Sequence, residues 1–176
     1  MKRLAQIFSA LVLIALLAAG AALIWLRPAP VVSLAPLRQI DRIVVEKSAR
    51  RMVLFADGQA VRIYQVALGR APVGEKLRRG DNRTPEGVFH IDRKNAASAF
   101  HLSLGLDYPR AEDRVRARAA GFDPGGDIMI HGQPNSFPAG SVINGDWTAG
   151  CIAVSDAEME EIFAATPVGT EVEVRP

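Results

Sequence analysis

Two residues of this sequence, Cys151 and His131, could together carry out covalent catalysis. Cys151 is the only cysteine among the 176 residues. A neutral imidazole beside a thiol can accept its proton, and the resulting thiolate attacks a carbonyl carbon, as in Cys/His hydrolases and acyl transferases. Gly150 and Gly132 adjoin the pair and would allow the close backbone approach that an oxyanion hole requires. Because an isolated cysteine is more often a packed core residue, the surrounding sequence must decide.

The sequence around these two residues resembles the signature of the L,D-transpeptidase (YkuD-type) family. In that signature a histidine is followed, after a spacer, by Ser/Thr-His-Gly-Cys. Here residues 130–132 read IHG and residues 148–151 read TAGC, with sixteen residues (132–147) before the second segment. The spacing and the position of the histidine at the end of an apolar run both agree with the family pattern.

A second segment extends the resemblance over most of the chain. Residues 80–87 read GDNRTPEG, which is similar to the family's TPxG segment, and residues 68–69 and 72–76 are similar to the loop before it. The resemblance covers residues 41–176. It implies a mainly β fold, namely a β-sandwich-like catalytic domain with short helices.

By this resemblance, Cys151 is the nucleophile and His131 its proton acceptor, in enzymes that remodel peptidoglycan and so affect cell-wall organisation and cell shape. The thiolate attacks the carbonyl at the L-centre of the third, diamino-acid residue of a tetrapeptide stem, and D-alanine leaves. The acyl group passes to an amine of another stem, forming a 3→3 cross-link, or of an envelope protein. Gly132 and Gly150 are expected to give backbone support, and carbapenem-type β-lactams are expected to acylate the same cysteine.

The motif departs from the family pattern at two positions. Ala149 stands where the family has its second histidine, and Ala153 stands where an arginine or asparagine is frequent. Neither change removes Cys151 or His131, but the missing histidine takes away an oxyanion or substrate contact. Two alternatives therefore stay open: a carboxypeptidase or amidase that hydrolyses the same acyl-enzyme, and a non-catalytic peptidoglycan-binding module.

Three further residues, Trp147, Thr148 and Arg83, are candidates for contact with substrate. Trp147 could line the donor-peptide groove, although an aromatic beside a strand end often packs in the core. Arg83 could grip a stem-peptide carboxylate through two hydrogen bonds. His90 and His101 are interpreted as structural or surface residues. Because the histidines and the cysteine lack zinc spacing and no nucleotide-binding motif is present, we expect no metal and no cofactor.

The elements that must position these residues are predicted to be mainly short strands. Alternating apolar residues and turn signals indicate strands near residues 42–46, 51–55, 61–66, 87–91, 98–104, 127–131 and 168–175. Helices are predicted at residues 112–120 and 155–163, the second capped by Ser155 or Asp156. Residues 69–87 are predicted to form a long surface loop, a kind of loop that is often functional.

The N-terminal region predicts export. Residues 4–26 contain no charge and are long enough to cross a bilayer, while Lys2 and Arg3 would stay cytoplasmic. The small residues 19–21 (AGA) leave cleavage by a signal peptidase as the alternative. Residues 27–40 contain three prolines and are predicted to be a linker, followed by the catalytic domain at residues 41–176. We therefore expect a periplasmic domain, tethered to the inner membrane or released.

Charge argues against a nucleic-acid partner. The formal net charge is +2, but three of the cations, Lys2, Arg3 and Arg27, lie at the N-terminus. Without them the chain carries 18 basic and 19 acidic residues. A nucleic-acid-binding domain normally has a clustered basic surface, which this distribution does not predict.

Overall fold

The computed structural model describes residues 37–176. The predicted membrane segment, residues 4–26, and most of the predicted linker, residues 27–40, lie outside the described residues. Between residues 37 and 176, no helix is both long and apolar enough to span a bilayer.

Residues 37–176 form eight β-strands and two short α-helices. In chain order the strands are β1 (Arg42–Glu46), β2 (Arg51–Ala56), β3 (Gln59–Gln65), β4 (Gly87–Ser98), β5 (His101–Leu106), β6 (Met129–His131), β7 (Ile152–Ala153) and β8 (Glu171–Arg175). The helices are α1 (Ala111–Ala119), between β5 and β6, and α2 (Asp156–Ala165), between β7 and β8. The mainly β class with short helices is confirmed.

The strands form one curled sheet in the order β3-β2-β1-β8-β4-β5-β6-β7. The pairs β1/β8 and β6/β7 are parallel, and the other neighbouring strands are antiparallel. Just after β3, Ala67 exchanges two backbone hydrogen bonds with Ala153 of β7, with N···O distances of 2.9 and 2.8 Å. The two edges of the sheet therefore meet beside β7, and the layered, sandwich-like character arises from the curl of one sheet.

A single hydrophobic core links the strands and α2. Its fully buried side chains include Leu54, Phe89, Ile91, Leu104, Ile130, Ile152, Met159 and Ile162. Burying each large side chain of this kind contributes about 1.5–3 kcal/mol relative to exposure. Ile130 and Ile152 face each other across β6 and β7, so the residues beside them, positions 131 and 151, are attached to the most buried part of the sheet.

Two short-range sequence signals account for a turn and for the start of a helix. Asp57 and Gly58 have φ values of 52° and 71°, which a tight two-residue hairpin turn requires, and they join β2 to β3. At the start of α2, the Ser155 side chain accepts the N–H of Glu158, and the Glu158 carboxylate accepts the N–H of Ser155. This reciprocal cap satisfies two backbone donors that would otherwise lack partners.

Several strand boundaries differ from the prediction. β4 continues to Ser98, and β5 begins at His101, so the predicted strand at residues 98–104 contains a hairpin turn. β6 begins at Met129 because Asp127 has a φ of 55°, which interrupts an extended chain. The last strand, predicted from residue 168, begins at Glu171, after a turn at Gly169 with a φ of 91°.

Candidate active site

Strands β6 and β7 bring the two predicted catalytic residues to neighbouring positions in the sheet. His131, the last residue of β6, lies opposite Ala153 in the parallel register. Cys151 immediately precedes β7, so the same register carries it to the position opposite Met129, two residues before His131. Because side chains two residues apart on an extended chain point to the same face, positions 131 and 151 share one side of the sheet.

The orientation of His131 is set by its own main chain. The imidazole is 3% exposed, and its Nδ1 lies 2.7 Å from the carbonyl oxygen of Gly132. A carbonyl oxygen can only accept, so Nδ1 carries the proton and donates it, which leaves Nε2 with a free lone pair. Burial lowers the pKa of His131 below its usual 6.5, against an opposing effect of the Gly132 hydrogen bond. The ring is therefore a neutral base at neutral pH.

Two aromatic side chains cover this imidazole. The Phe100 ring centroid lies 4.6 Å from that of His131, and the Trp147 ring lies 5.6 Å away in an edge-on arrangement. Sequence reasoning missed Phe100, because residues 98–104 read as one strand, whereas Phe100 lies in the β4–β5 turn. The indole Nε1 of Trp147 is buried and has no hydrogen-bond partner in the described part of the chain. The rings exclude water from His131, consistent with its lowered pKa.

Cys151 is a partly buried thiol in its protonated form. Its Sγ donates to the carbonyl oxygen of Asp127 at 3.4 Å. Burial raises the thiol pKa above its usual 9.0, and the charge of Asp127 adds to this, while the N–H of Met129 and the charge of Lys76 lower it. A neutral thiol and a neutral imidazole make up the resting pair. A nucleophilic attack by Cys151 would therefore require a base to remove the thiol proton.

A buried hydroxyl shapes the turn before the nucleophile. The Oγ1 of Thr148 donates to the carbonyl oxygen of Cys151 at 2.8 Å and accepts the N–H of Gly150 at 3.1 Å. Thr148 is 4% exposed, so its hydroxyl is occupied within the loop. The predicted contact of Thr148 with substrate and the predicted oxyanion support by Gly150 stay predictions.

The motif glycines are required by close backbone packing. Gly150 has a φ of 138°, and a Cβ there would lie 2.7 Å from the carbonyl oxygen of Arg83. The residues around Arg83 therefore pack directly behind the nucleophile. A Cβ at Gly132 would lie 2.5 Å from Oδ1 of Asp156, at the start of α2. At Gly150 a backbone carbonyl blocks any side chain, whereas at Gly132 a Cβ would force the Asp156 carboxylate to move, so both glycines have a steric reason apart from any role in catalysis.

The guanidinium of Arg83 has a partner inside its own loop. Its Nη1 donates to the carbonyl oxygen of Glu75 at 3.1 Å, and the side chain covers Gly74. His101 Nε2 lies 3.0 Å from a carboxylate oxygen of Glu160, and the ring of His90 is exposed. In residues 37–176 no group of three or more His, Cys, Asp or Glu residues could hold a metal.

A small pocket of about 190 Å³ opens beside Cys151. Its lining consists of Lys76, Arg79, Gly80, Gly125, Gly126, Asp127, Ile128, Ala149 and Cys151. Ala149 leaves space next to the sulfur where the family pattern has a histidine. A larger cavity of about 530 Å³ lies under residues 142–146 and is bordered by buried Ala153, but neither catalytic candidate lines it. Cys151 lines the smaller pocket and His131 lines neither, so the smaller pocket is the one that reaches the nucleophile candidate.

Comparisons with known proteins agree on one family. A model of the YkuD L,D-transpeptidase catalytic domain matches residues 40–174. The Bacillus subtilis protein YqjB, named as an L,D-transpeptidase, is 26% identical over 141 residues, which cover 78% of this chain and 72% of YqjB. Escherichia coli YafK, named likewise, is 28% identical over 102 residues, which cover 57% of this chain and 35% of YafK.

The fold agrees with a solved structure as well. The helical cell shape determining protein Pgp2 from Campylobacter jejuni superposes with a TM-score of 0.60 at 25% identity, covering 78% of this chain and 48% of Pgp2. The chain thus spans about half the length of the Pgp2 structure and about a third of YafK.

Proposed function

Since the chain belongs to the L,D-transpeptidase (YkuD-type) catalytic-domain family, we propose that it is a cysteine-dependent acyltransferase acting on peptidoglycan stem peptides. The observation that carries this proposal is the placement of a neutral, oriented imidazole, His131, on the strand next to the one that follows Cys151. The free Nε2 of His131 is the acceptor that a protonated thiol needs. The name and fold of Pgp2 support a role in shaping the cell wall.

The first half-reaction forms a thioester. The Sγ–H of Cys151 turns from the Asp127 carbonyl toward Nε2 of His131, which takes the proton as the sulfur attacks the carbonyl carbon of the third stem residue. The C–N bond to D-alanine then breaks, and the imidazolium returns the proton to the departing amine. The products are free D-alanine and a Cys151 acyl-enzyme.

The second half-reaction releases the acyl group to an acceptor. An amine of another stem, or of an envelope protein, loses a proton to His131 and attacks the thioester, and the thiolate of Cys151 recovers that proton as it leaves. With water in place of the amine, the same steps give hydrolysis. The space beside Ala149 makes hydrolysis the second candidate, because the pocket at Cys151 lacks the side chain that the family pattern has there.

The proposal includes a location. Residues 4–26 would carry the catalytic domain to the periplasm, either as an inner-membrane anchor or as a cleaved signal. Recovery of the full chain in the soluble periplasmic fraction would contradict the anchor, and recovery in the cytoplasm would contradict export.

Product analysis separates the candidate functions. The full chain is incubated with a disaccharide-tetrapeptide, and the products are identified by chromatography and mass spectrometry, beside Cys151→Ala and a control variant, His90→Ala. Transfer yields D-alanine and a cross-linked dimer, while hydrolysis yields D-alanine and a tripeptide. The Cys151→Ala change is expected to reduce D-alanine release by at least about a thousandfold. A folded wild-type chain that releases no D-alanine would leave the non-catalytic binding module as the function.

A further inference from the structure

The pocket beside Cys151 presents positive charge. In the described chain, its charged lining residues are the cations Lys76 and Arg79 and the acid Asp127. The Asp127 side chain is 88% exposed and pairs with Arg93, with 3.1 Å between Oδ1 and Nη2, so its charge is directed to solvent. Arg79 is also largely exposed and pairs with Asp123. Lys76 is therefore the cation that belongs to the pocket.

Lys76 is held in place by a buried carboxylate. The side chain of Lys76 is 3% exposed, and its Nζ donates to Oδ1 of Asp81 at 2.8 Å and to the carbonyl oxygen of Arg78 at 3.2 Å. Asp81 also accepts the backbone N–H groups of Leu77, Arg78 and Arg83. Burial raises the pKa of Asp81, but the hydrogen bonds from Lys76 and the backbone outweigh it and hold the pKa at about 2.

One N–H of the Lys76 ammonium has no acceptor among residues 37–176. An ammonium has three N–H groups, and within residues 37–176 two acceptors contact this one. Asp81 accepts hydrogen bonds from Lys76 and from three backbone N–H groups. The main chain therefore holds the carboxylate in place, and the carboxylate fixes the ammonium. Charge-assisted hydrogen bonds of this kind are strongest where water is excluded.

We propose that Lys76 binds a carboxylate of the donor peptide beside the carbonyl that Cys151 attacks. This inference rests on the proposed function, because it names the substrate group that the same site holds. The pocket volume of about 190 Å³ equals that of roughly six water molecules, which suits one small residue of the stem. Two groups of a tetrapeptide donor meet this description: the C-terminal carboxylate of D-alanine and the side-chain carboxylate of the diamino acid.

The test measures binding, so that it does not depend on turnover. The full chain carrying Cys151→Ala is titrated calorimetrically with a disaccharide-tetrapeptide, with its C-terminal amide, and with its side-chain amide. Because it loses a charge-assisted hydrogen bond, one of the two amides is expected to bind about 10- to 100-fold more weakly than the free acid. Which amide is weakened identifies the carboxylate. Equal affinity for all three peptides would overturn the proposal.

Variants assign the effect to Lys76. Adding Lys76→Met to the Cys151→Ala protein is expected to weaken binding of the free acid about 10- to 100-fold and to leave binding of the sensitive amide unchanged. The matched control is Arg38→Met, an exposed cation outside the pocket lining that pairs with Asp57, and it is expected to change the affinity for neither peptide more than about twofold. If Lys76 only holds the loop, Lys76→Met weakens acid and amide equally. That result would overturn the proposal and leave the acyltransferase reading intact.

The two proposals fail in different ways. Wild-type protein that binds the tetrapeptide through Lys76 but releases no D-alanine would contradict the acyltransferase and support the carboxylate site. Because Lys76→Met leaves Asp81 without its partner, Lys76→Arg provides a second variant that keeps the charge. The Lys76→Arg variant is expected still to bind the free acid more tightly than the sensitive amide. Loss of this difference in a folded protein would contradict recognition by charge.

Discussion

The Nδ1 of His131 lies 2.7 Å from the carbonyl oxygen of Gly132, the next residue in the chain. This contact fixes the tautomer and the direction of the base without a separate acidic side chain. Burial lowers the pKa of His131, and the hydrogen bond to Gly132 raises it by less. The opposing effect is small because a neutral carbonyl oxygen stabilises an imidazolium less than a charged carboxylate would. The proposed catalytic base is thus oriented by main chain at the end of β6.

Removing the ring that covers His131 should shift the pH dependence. Burial is the main cause that lowers the pKa of His131 below 6.5, and Phe100 lies 4.6 Å from the imidazole. In Phe100→Ala, water reaches the ring and the pKa rises toward 6.5. Since the base must be deprotonated, the acid limb of kcat/KM for D-alanine release moves to higher pH. The control Phe55→Ala, on β2, keeps the wild-type profile, and an unshifted limb in Phe100→Ala would contradict the role of burial.

Alkylation of Cys151 should report a protonated resting thiol. Burial, the first cause, and the charge of Asp127 raise its pKa above 9.0. Only the thiolate reacts with iodoacetamide, so the alkylation rate of the folded chain should reach its midpoint at a higher pH than that of free cysteine measured alongside. A midpoint below that of free cysteine would instead reveal a preformed thiolate–imidazolium pair.

Gly150→Ala should destabilise the whole domain. Position 150 has a φ of 138°, and the new Cβ would lie 2.7 Å from the Arg83 carbonyl oxygen. We expect a loss of about 2 kcal/mol or more in the free energy of unfolding, measured by denaturant titration. Gly140→Ala is the matched control, because Gly140 has a φ of 76° and no atom within 4 Å of its Cβ. A similar loss of about 1 kcal/mol at both positions would show that φ alone, without the contact, matters.

Thr148→Val should loosen the nucleophile turn while keeping the shape of the side chain. The hydroxyl bonds both the Gly150 N–H and the Cys151 carbonyl, and it is buried. Its loss leaves both groups unpaired, at a cost of about 1–3 kcal/mol in unfolding free energy, and slows D-alanine release. Thr148→Ser keeps the hydroxyl and should behave as wild type. Equal behaviour of the valine and serine variants would argue against this function of the hydroxyl.

The parts of the fold that depend on neighbouring residues could be predicted from the sequence. The Asp57-Gly58 turn and the Ser155 cap follow from the chemistry of adjacent residues, and both occur. The second half of β4 could not be predicted, because residues 92–95 are polar, residues 96–97 are both alanine, and the segment shows no alternation of apolar and polar residues. That segment is a strand because it pairs with β5, and no pattern within the segment itself indicates this pairing.

The candidate site shows the same division. Cys151 and His131 were predicted from the resemblance of their segments to a family signature, and strand register puts positions 131 and 151 on one face. Lys76 reads in sequence as a surface residue of a charged loop, since nothing nearby indicates that Asp81 holds it beside Cys151. Phe100 was hidden inside a predicted strand. Both residues join the site through tertiary contacts, which a single sequence does not encode locally.

The most direct test of the account is the mass of the intact protein. The full chain is incubated with a carbapenem and, separately, with a disaccharide-tetrapeptide, and it is compared with Cys151→Ala under the same conditions. We predict a covalent adduct that proteolysis maps to Cys151 and that is absent from the variant, with D-alanine released from the tetrapeptide. A folded wild-type chain without an adduct from either compound, or an adduct of equal yield on Cys151→Ala, would contradict the central claim.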